Sequence, residues 1–304
     1  MIGGTGTLLF PELSFSNSVF DRNYSDNMGL QLWSVGDLFR ADKDNTIANI
    51  AKIGFKHIEL PMFTSVESLA RILDNYNLSA TSRHFPFAYA TGDWSFFPKY
   101  NLPIPEIKEF ESVVEDASKH GLKHLVMPYL FPEERGNIDH YKLIAEKLNK
   151  MGEICQKANI QLNYHNHHFE FKPIGKTTPF EIIKNETDEN LLTFQIDVFF
   201  VCLMGLNPTD LINNLESRVK SLHLKDLNRR IAKNNLITVM KNKPISEIWN
   251  ETVELGKGIV DFKSILLAAK ENNIENCYVE VEGTQSNSFE VLEQSFKYLK
   301  SIES

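Results

Sequence analysis

From Gly29 onward the chain alternates short apolar runs with longer stretches in which apolar residues recur every three to four positions. The short runs predict eight strands: Gly29–Trp33, His57–Leu60, Ser79–His84, His124–Met127, Gln161–His167, Leu192–Asp197, Val219–Leu224 and Cys277–Glu282. The longer stretches follow the 3.6-residue period of amphipathic helices. Within 106–119, Ile107, Phe110, Val113, Val114 and Ala117 share one face, and within 140–158 Ile144, Leu148, Met151 and Cys155 do. Other helices are predicted at Asn45–Ile53 with Asn45 as cap, at Ser65–Tyr76, and near 178–185, 208–216, 261–272 and 287–300. Strand–helix alternation repeated eight times predicts a parallel sheet wrapped by helices, and eight units favour closure into a single-domain (β/α)8 TIM barrel over residues 28–304. A doubly wound dinucleotide fold would place a glycine fingerprint after the first strand. The residues there are SVGDLF, and the GTG at 4–6 follows no strand.

Two connections are long, Phe85–Pro105 and Asn228–Gly258, the second with a helical piece at Ile245–Val253. Both follow strands, so in a barrel both belong to the catalytic face, where such loops form lids or binding walls. Residues 1–27 show no helical period. They read either as a strapped arm or as the remnant of a secretory hydrophobic region, so both cytoplasmic and periplasmic locations stay open.

Composition narrows the function classes. The 304 residues are 42% hydrophobic and 24% charged, which supports a large packed core. The net charge of −8 and the lack of a basic run argue against a nucleic-acid partner. No apolar run reaches the roughly 18 residues of a membrane span. Cys155, Cys202 and Cys277 are widely spaced and suggest neither a disulfide framework nor a zinc ribbon.

The informative residues are polar groups at strand ends. Barrel strands are mostly apolar, so ionisable side chains at their C-terminal ends point to catalysis. Here those ends carry Glu59, then Arg83 and His84, then Tyr164 to Glu170 (YHNHHFE), Asp197, His223 with Lys225 and Asp226, and Glu280 with Glu282. Taken singly, Asp197 could cap a helix, Asp226 could cap its loop, Lys225 could be a solvated charge, and His120, His124 and His140 read as structural. The coincidence across strands five to eight carries the inference. Imidazole and carboxylate ligands without thiolate suit one divalent ion: Mn²⁺, Mg²⁺, Co²⁺ or Zn²⁺. Beside a carbonyl, such an ion would acidify the α-proton, and a nearby carboxylate or imidazole would remove it.

The ordered stretches GLQLWSV (29–35), IGFKHIEL (53–60), YHNHHFEF (164–171), QIDVFFV (195–201), LHLKD (222–226), GKGIVDF (256–262) and YVEVEG (278–283) resemble the sugar phosphate isomerase/epimerase family of xylose isomerase-like barrels. The resemblance implies one divalent ion, often Mn²⁺, held by Glu170, Asp197, His223 and Glu280. Asn163 stands where epimerases carry the first glutamate, hence the placement at Glu170; Glu282 shares the strand face of Glu280. Glu170 and Glu280 are then the proton-shuttling pair, with His165 as the base if Glu170 is displaced. Glu59, His84, His167 and Lys225 are expected to contact a small sugar substrate. A homo-oligomer is compatible with the resemblance.

The leading expectation is a metal-dependent isomerase or epimerase acting through an enediolate. The alternative is a lyase or dehydratase on a keto-sugar or 3-keto-glycoside at the same site. A barrel endonuclease would need a basic groove, and a non-catalytic sugar-binding module would not need the intact Asp197, His223 and Glu280.

Overall fold

A computed structural model describes residues 23–233, 237–240 and 242–303. The GTG at 4–6 and most of the expected N-terminal arm lie outside these residues. Eight parallel strands close into a barrel: β1 (Gly29–Gln31), β2 (His57–Leu60), β3 (Ser79–His84), β4 (His124–Met127), β5 (Gln161–His165), β6 (Leu192–Asp197), β7 (Val219–Leu224) and β10 (Asn276–Val279). Closure pairs Gly29 with Tyr278 and Leu30 with Val279. A β-carbon on Gly29 would sit 2.3 Å from the Tyr278 ring, so the seam depends on glycine there.

Side chains alternate across each strand. Leu30, Ile58, Leu125, Leu162, Phe194, Ile196, Leu222 and Val279 are buried and contribute to one continuous core. The alternate positions carry Gln31, Glu59, Ser82, Asn163, Gln195 and Ser221, all buried. The barrel interior is therefore polar well below its mouth, where apolar filling was expected from the general pattern of such strands. Each of these groups finds a partner inside; Asn163, for example, accepts from the Thr193 hydroxyl at 2.8 Å and lies 3.3 Å from His124 Nδ1.

The helices follow the predicted order with shifted starts. Asp42, rather than Asn45, caps the helix Lys43–Ile53, its carboxylate accepting from the Asn45 amide. The helix expected over 106–119 begins at Phe110. Ile107 is consequently 59% exposed instead of packed. The loop after β3 folds back as an aromatic cluster of Trp94, Phe96 and Phe97 against Phe131 of the loop after β4. The long connection after β7 forms a short antiparallel hairpin, β8 (Asp226–Leu227) with β9 (Thr252–Val253), and the helix Ile245–Trp249. Asp226 fixes its base by accepting from the backbone amides of Gly256, Gly258 and Val260. No helix among the described residues is long and apolar enough to cross a membrane.

Candidate active site

Strand register sets the site. Asp197 pairs with His223 across β6 and β7, His165 pairs with Gln195 across β5 and β6, and the Glu280 amide bonds Leu224 just beyond β10. Alternation then places His165, Asp197, His223 and Lys225 on the inner side of the mouth with Glu280 and Glu282. Ligand atoms of His165, Asp197 and His223 all lie within 4.8 Å of one another. Glu280 Oε2 is 3.1 Å from His223 Nδ1.

Asp197 serves two purposes with two oxygens. Oδ1 accepts from the Phe199 amide and caps the helix Val198–Leu203. Oδ2 is buried and accepts no hydrogen bond, while facing Lys225 Nζ at 3.1 Å and His165 Nε2 at 3.8 Å. A buried carboxylate oxygen without a donor is costly unless a cation completes it.

Lys225 is the central charge. It is 1% exposed, lies 3.0 Å from Glu280 Oε2 and is ion-paired with Glu282. Burial works against its charge, but Asp197, Glu280 and Glu282 hold its pKa well above the usual lysine value. Burial raises Asp197 despite Lys225, and pushes Glu282 up to about 8. Burial would raise Glu280 as well, but Lys225 and His223 hold it below the usual carboxylate range. His223 overcomes its own burial through Glu280 and Glu59 and is pushed up to about 10.

Beneath this cluster sits Glu59, fully buried. Its Oε1 lies 2.8 Å from Gln31 Nε2, 2.9 Å from His84 Nε2 and 2.5 Å from His223 Nε2. Its Oε2 accepts from the Ser82 hydroxyl at 2.6 Å and from Gln195 Nε2 at 2.7 Å. Burial alone would raise its pKa; His84 and His223 hold it well below the usual value. Five partners leave Glu59 no capacity for a substrate, so the expected substrate contact is corrected to an internal anchor.

Glu170 also differs from expectation. It lies beyond β5 and outside the cluster, with Oε1 accepting from the Tyr164 hydroxyl at 2.7 Å and Oε2 from the His167 amide at 2.9 Å. Tyr164 faces away from the barrel interior because it neighbours His165 on an alternating strand, and Glu170 goes with it. Asn163 is not level with the cluster either. The strand-five side chain beside Asp197 is His165. His84 sits at the mouth, its ring stacked 5.8 Å from that of His223. His167 packs 5.0 Å from His165, against Tyr129 and Phe200, with a buried Nδ1 that has no partner. The histidines read as structural are so placed: His124 bonds Glu275, His120 bonds the Asp116 carbonyl, and His140 bonds the Glu134 carbonyl.

The donor set fits a divalent ion with nitrogen and oxygen ligands, because two carboxylates, one with a buried oxygen that accepts no hydrogen bond, and two imidazoles converge without thiolate. Gln31, Ser82, Gln195 and Ser221 were missed by the sequence reading. Gln31 and Gln195 carried a signal, a lone polar residue inside an apolar run (LQL and FQI); Ser82 and Ser221 stand in mixed strands and carried none.

A family model described as xylose isomerase-like TIM barrel matches residues 47–302. The chain belongs to that family. An inosose dehydratase of Clostridium beijerinckii is 27% identical over 289 residues, covering 88% of this chain and 93% of the relative. Among solved structures, a sugar phosphate isomerase/epimerase from Parabacteroides distasonis superposes with a TM-score of 0.71 at 23% identity, covering 93% of this chain and 96% of its own. The IolI protein with a bound zinc atom superposes with a TM-score of 0.63 at 16% identity, covering 91% and 98%. These structural likenesses show the shared barrel. Of the two activities expected from the sequence, the named relatives favour the dehydratase.

Proposed function

We propose that the protein is a metal-dependent dehydratase that removes water from a keto-polyol of the inosose type. His165, Asp197, His223 and Glu280 would hold the ion, which when bound would polarise the ketone and so acidify the neighbouring C–H. Glu280 takes the α-proton. Lys225 donates a proton to the β-hydroxyl, which departs as water while the C–H electron pair becomes the new double bond. The 3.0 Å contact between Glu280 and Lys225 lets the abstracted proton replace the one given up, so the cycle closes without a further acid. Glu282 keeps Lys225 in place. His84 and His167 line the approach and would contact substrate hydroxyls.

The observation that carries this reading is the identity of the strand-five group. Inversion at a carbon needs a second base on the opposite face. His165 is tied at Nδ1 to Gln195 at 2.9 Å, and Nε2 is the atom it would offer the ion, so neither nitrogen is left to act as that base. Elimination needs only the Glu280–Lys225 side. The test is incubation of inososes and keto-sugars in heavy water with protein reconstituted with Mn²⁺, Co²⁺ or Zn²⁺. Dehydration gives an unsaturated, ultraviolet-absorbing product; a deuterated isomer with no loss of water would overturn the proposal in favour of an epimerase.

A further inference from the structure

We infer that Glu59 acts as a positioning residue that sets the tautomers of both imidazoles of the metal centre, one directly and one through Gln195. This rests on the ligand set proposed above. The argument starts from donor and acceptor roles. An ionised carboxylate only accepts. Glu59 Oε2 lies 2.7 Å from the Gln195 amide, so that amide must present its NH2 group. The same NH2 donates to the Ser221 hydroxyl at 3.1 Å. Gln195 Oε1 therefore points the other way, toward His165 Nδ1 at 2.9 Å, and requires that nitrogen to carry the proton. The lone pair of His165 is left on Nε2, the atom that faces Asp197 Oδ2.

On the other side, Glu59 Oε1 lies 2.5 Å from His223 Nε2 and requires a proton there. When His223 binds a metal as a neutral ring, its lone pair is left on Nδ1, the atom 3.1 Å from Glu280 Oε2. One carboxylate thus turns two ligand lone pairs toward the same place. Histidine ligands whose other nitrogen is tied down in this way hold metal roughly 10–100-fold more tightly than those whose partner is removed.

The relay makes a reciprocal test. In Glu59→Gln, the new amide must offer its NH2 to Gln195 if its oxygen is to serve His223. Gln195 then flips, its own NH2 faces His165 Nδ1, and the His165 tautomer reverses. The exchange Glu59→Gln with Gln195→Glu keeps the net charge and restores acceptors toward both imidazoles, the serine hydroxyls rotating to suit. Metal affinity by titration calorimetry and the number of imidazole nitrogens on Mn²⁺ by pulsed electron paramagnetic resonance are the readouts. Wild type should show two nitrogens. Glu59→Gln should lose one of them and about 10–100-fold in affinity, and the exchanged double variant should recover most of both. Wild-type affinity with two nitrogens in Glu59→Gln, or no recovery in a folded double variant, would overturn the relay alone. A wild type that binds no divalent ion would overturn the metal centre itself, and the relay with it. Nitrogen NMR of the wild-type protein reports the His165 tautomer even if the variants fail to fold, and a proton on Nε2 would overturn the inference.

Discussion

Replacing Lys225 with methionine keeps an unbranched side chain one atom shorter and removes its charge. Lys225 Nζ lies 3.1 Å from Asp197 Oδ2 and 3.0 Å from Glu280 Oε2, and is also paired with Glu282. Each of these first two contacts corresponds to about 5 kcal/mol of Coulomb attraction at an effective dielectric constant of about 20. Much of that is offset by the several kcal/mol needed to desolvate each ion, so the net cost of removing one partner of a buried set is about 3–5 kcal/mol. For a chain of this size, that lowers the melting temperature by roughly 5–8 °C. The assay is thermal and urea denaturation of both proteins in chelator, then across a titration of Mn²⁺. In chelator the variant should show the full loss, because the ammonium between three buried carboxylates is gone and no metal ion replaces it. With added ion the gap should narrow, since the variant offers a more anionic site and binds the ion more tightly. A loss below about 1 kcal/mol in chelator would refute the reasoning, because a buried ammonium paired with three carboxylates cannot be that dispensable.

Two further outcomes test other parts of the molecule. A β-carbon on Gly258 would lie 2.0 Å from Asp226 Oδ1 and 2.4 Å from the Leu227 carbonyl, so Gly258→Ala should cost about 1–3 kcal/mol and open the segment after β8 to limited proteolysis. Burial pushes Glu170 up to about 7 in spite of its bonds to Tyr164 and the His167 amide. Its folded pKa thus lies above the unfolded value near 4.5, so the native state binds more protons between pH 4.5 and 7. Stability contributed at acid pH is lost as pH rises through that window, by up to about 3 kcal/mol at roughly 1.4 kcal/mol per pH unit. Glu170→Gln should flatten this slope in denaturation curves taken from pH 4 to pH 8; an unchanged slope would place the titration elsewhere.

The strands were legible because their signal is local. His57–Leu60, Ser79–His84, His124–Met127, Leu192–Asp197 and Val219–Leu224 are found at the bounds their apolar runs predict. Asp197, His223, Lys225, Glu280 and Glu282 were legible as candidates because an ionisable residue stands out at the end of such a run. Ile107 and Asn45 show where periodicity fails, since it does not mark where a helix starts; at Lys43–Ile53 the carboxylate of Asp42 decides that.

What the sequence by itself determined is the barrel, its strand order and the residue types at its mouth, all of which follow from alternation along one chain. Which of those residues meet was decided only by tertiary structure. Glu170 and His165 are five positions apart in one motif, yet alternation about Tyr164 sends one outward and the other to Asp197. Glu59 is distant in sequence from Gln195 and His223, and only closure of the barrel brings the three together. Lone-pair direction and burial depend on that closure, and no local pattern encodes them.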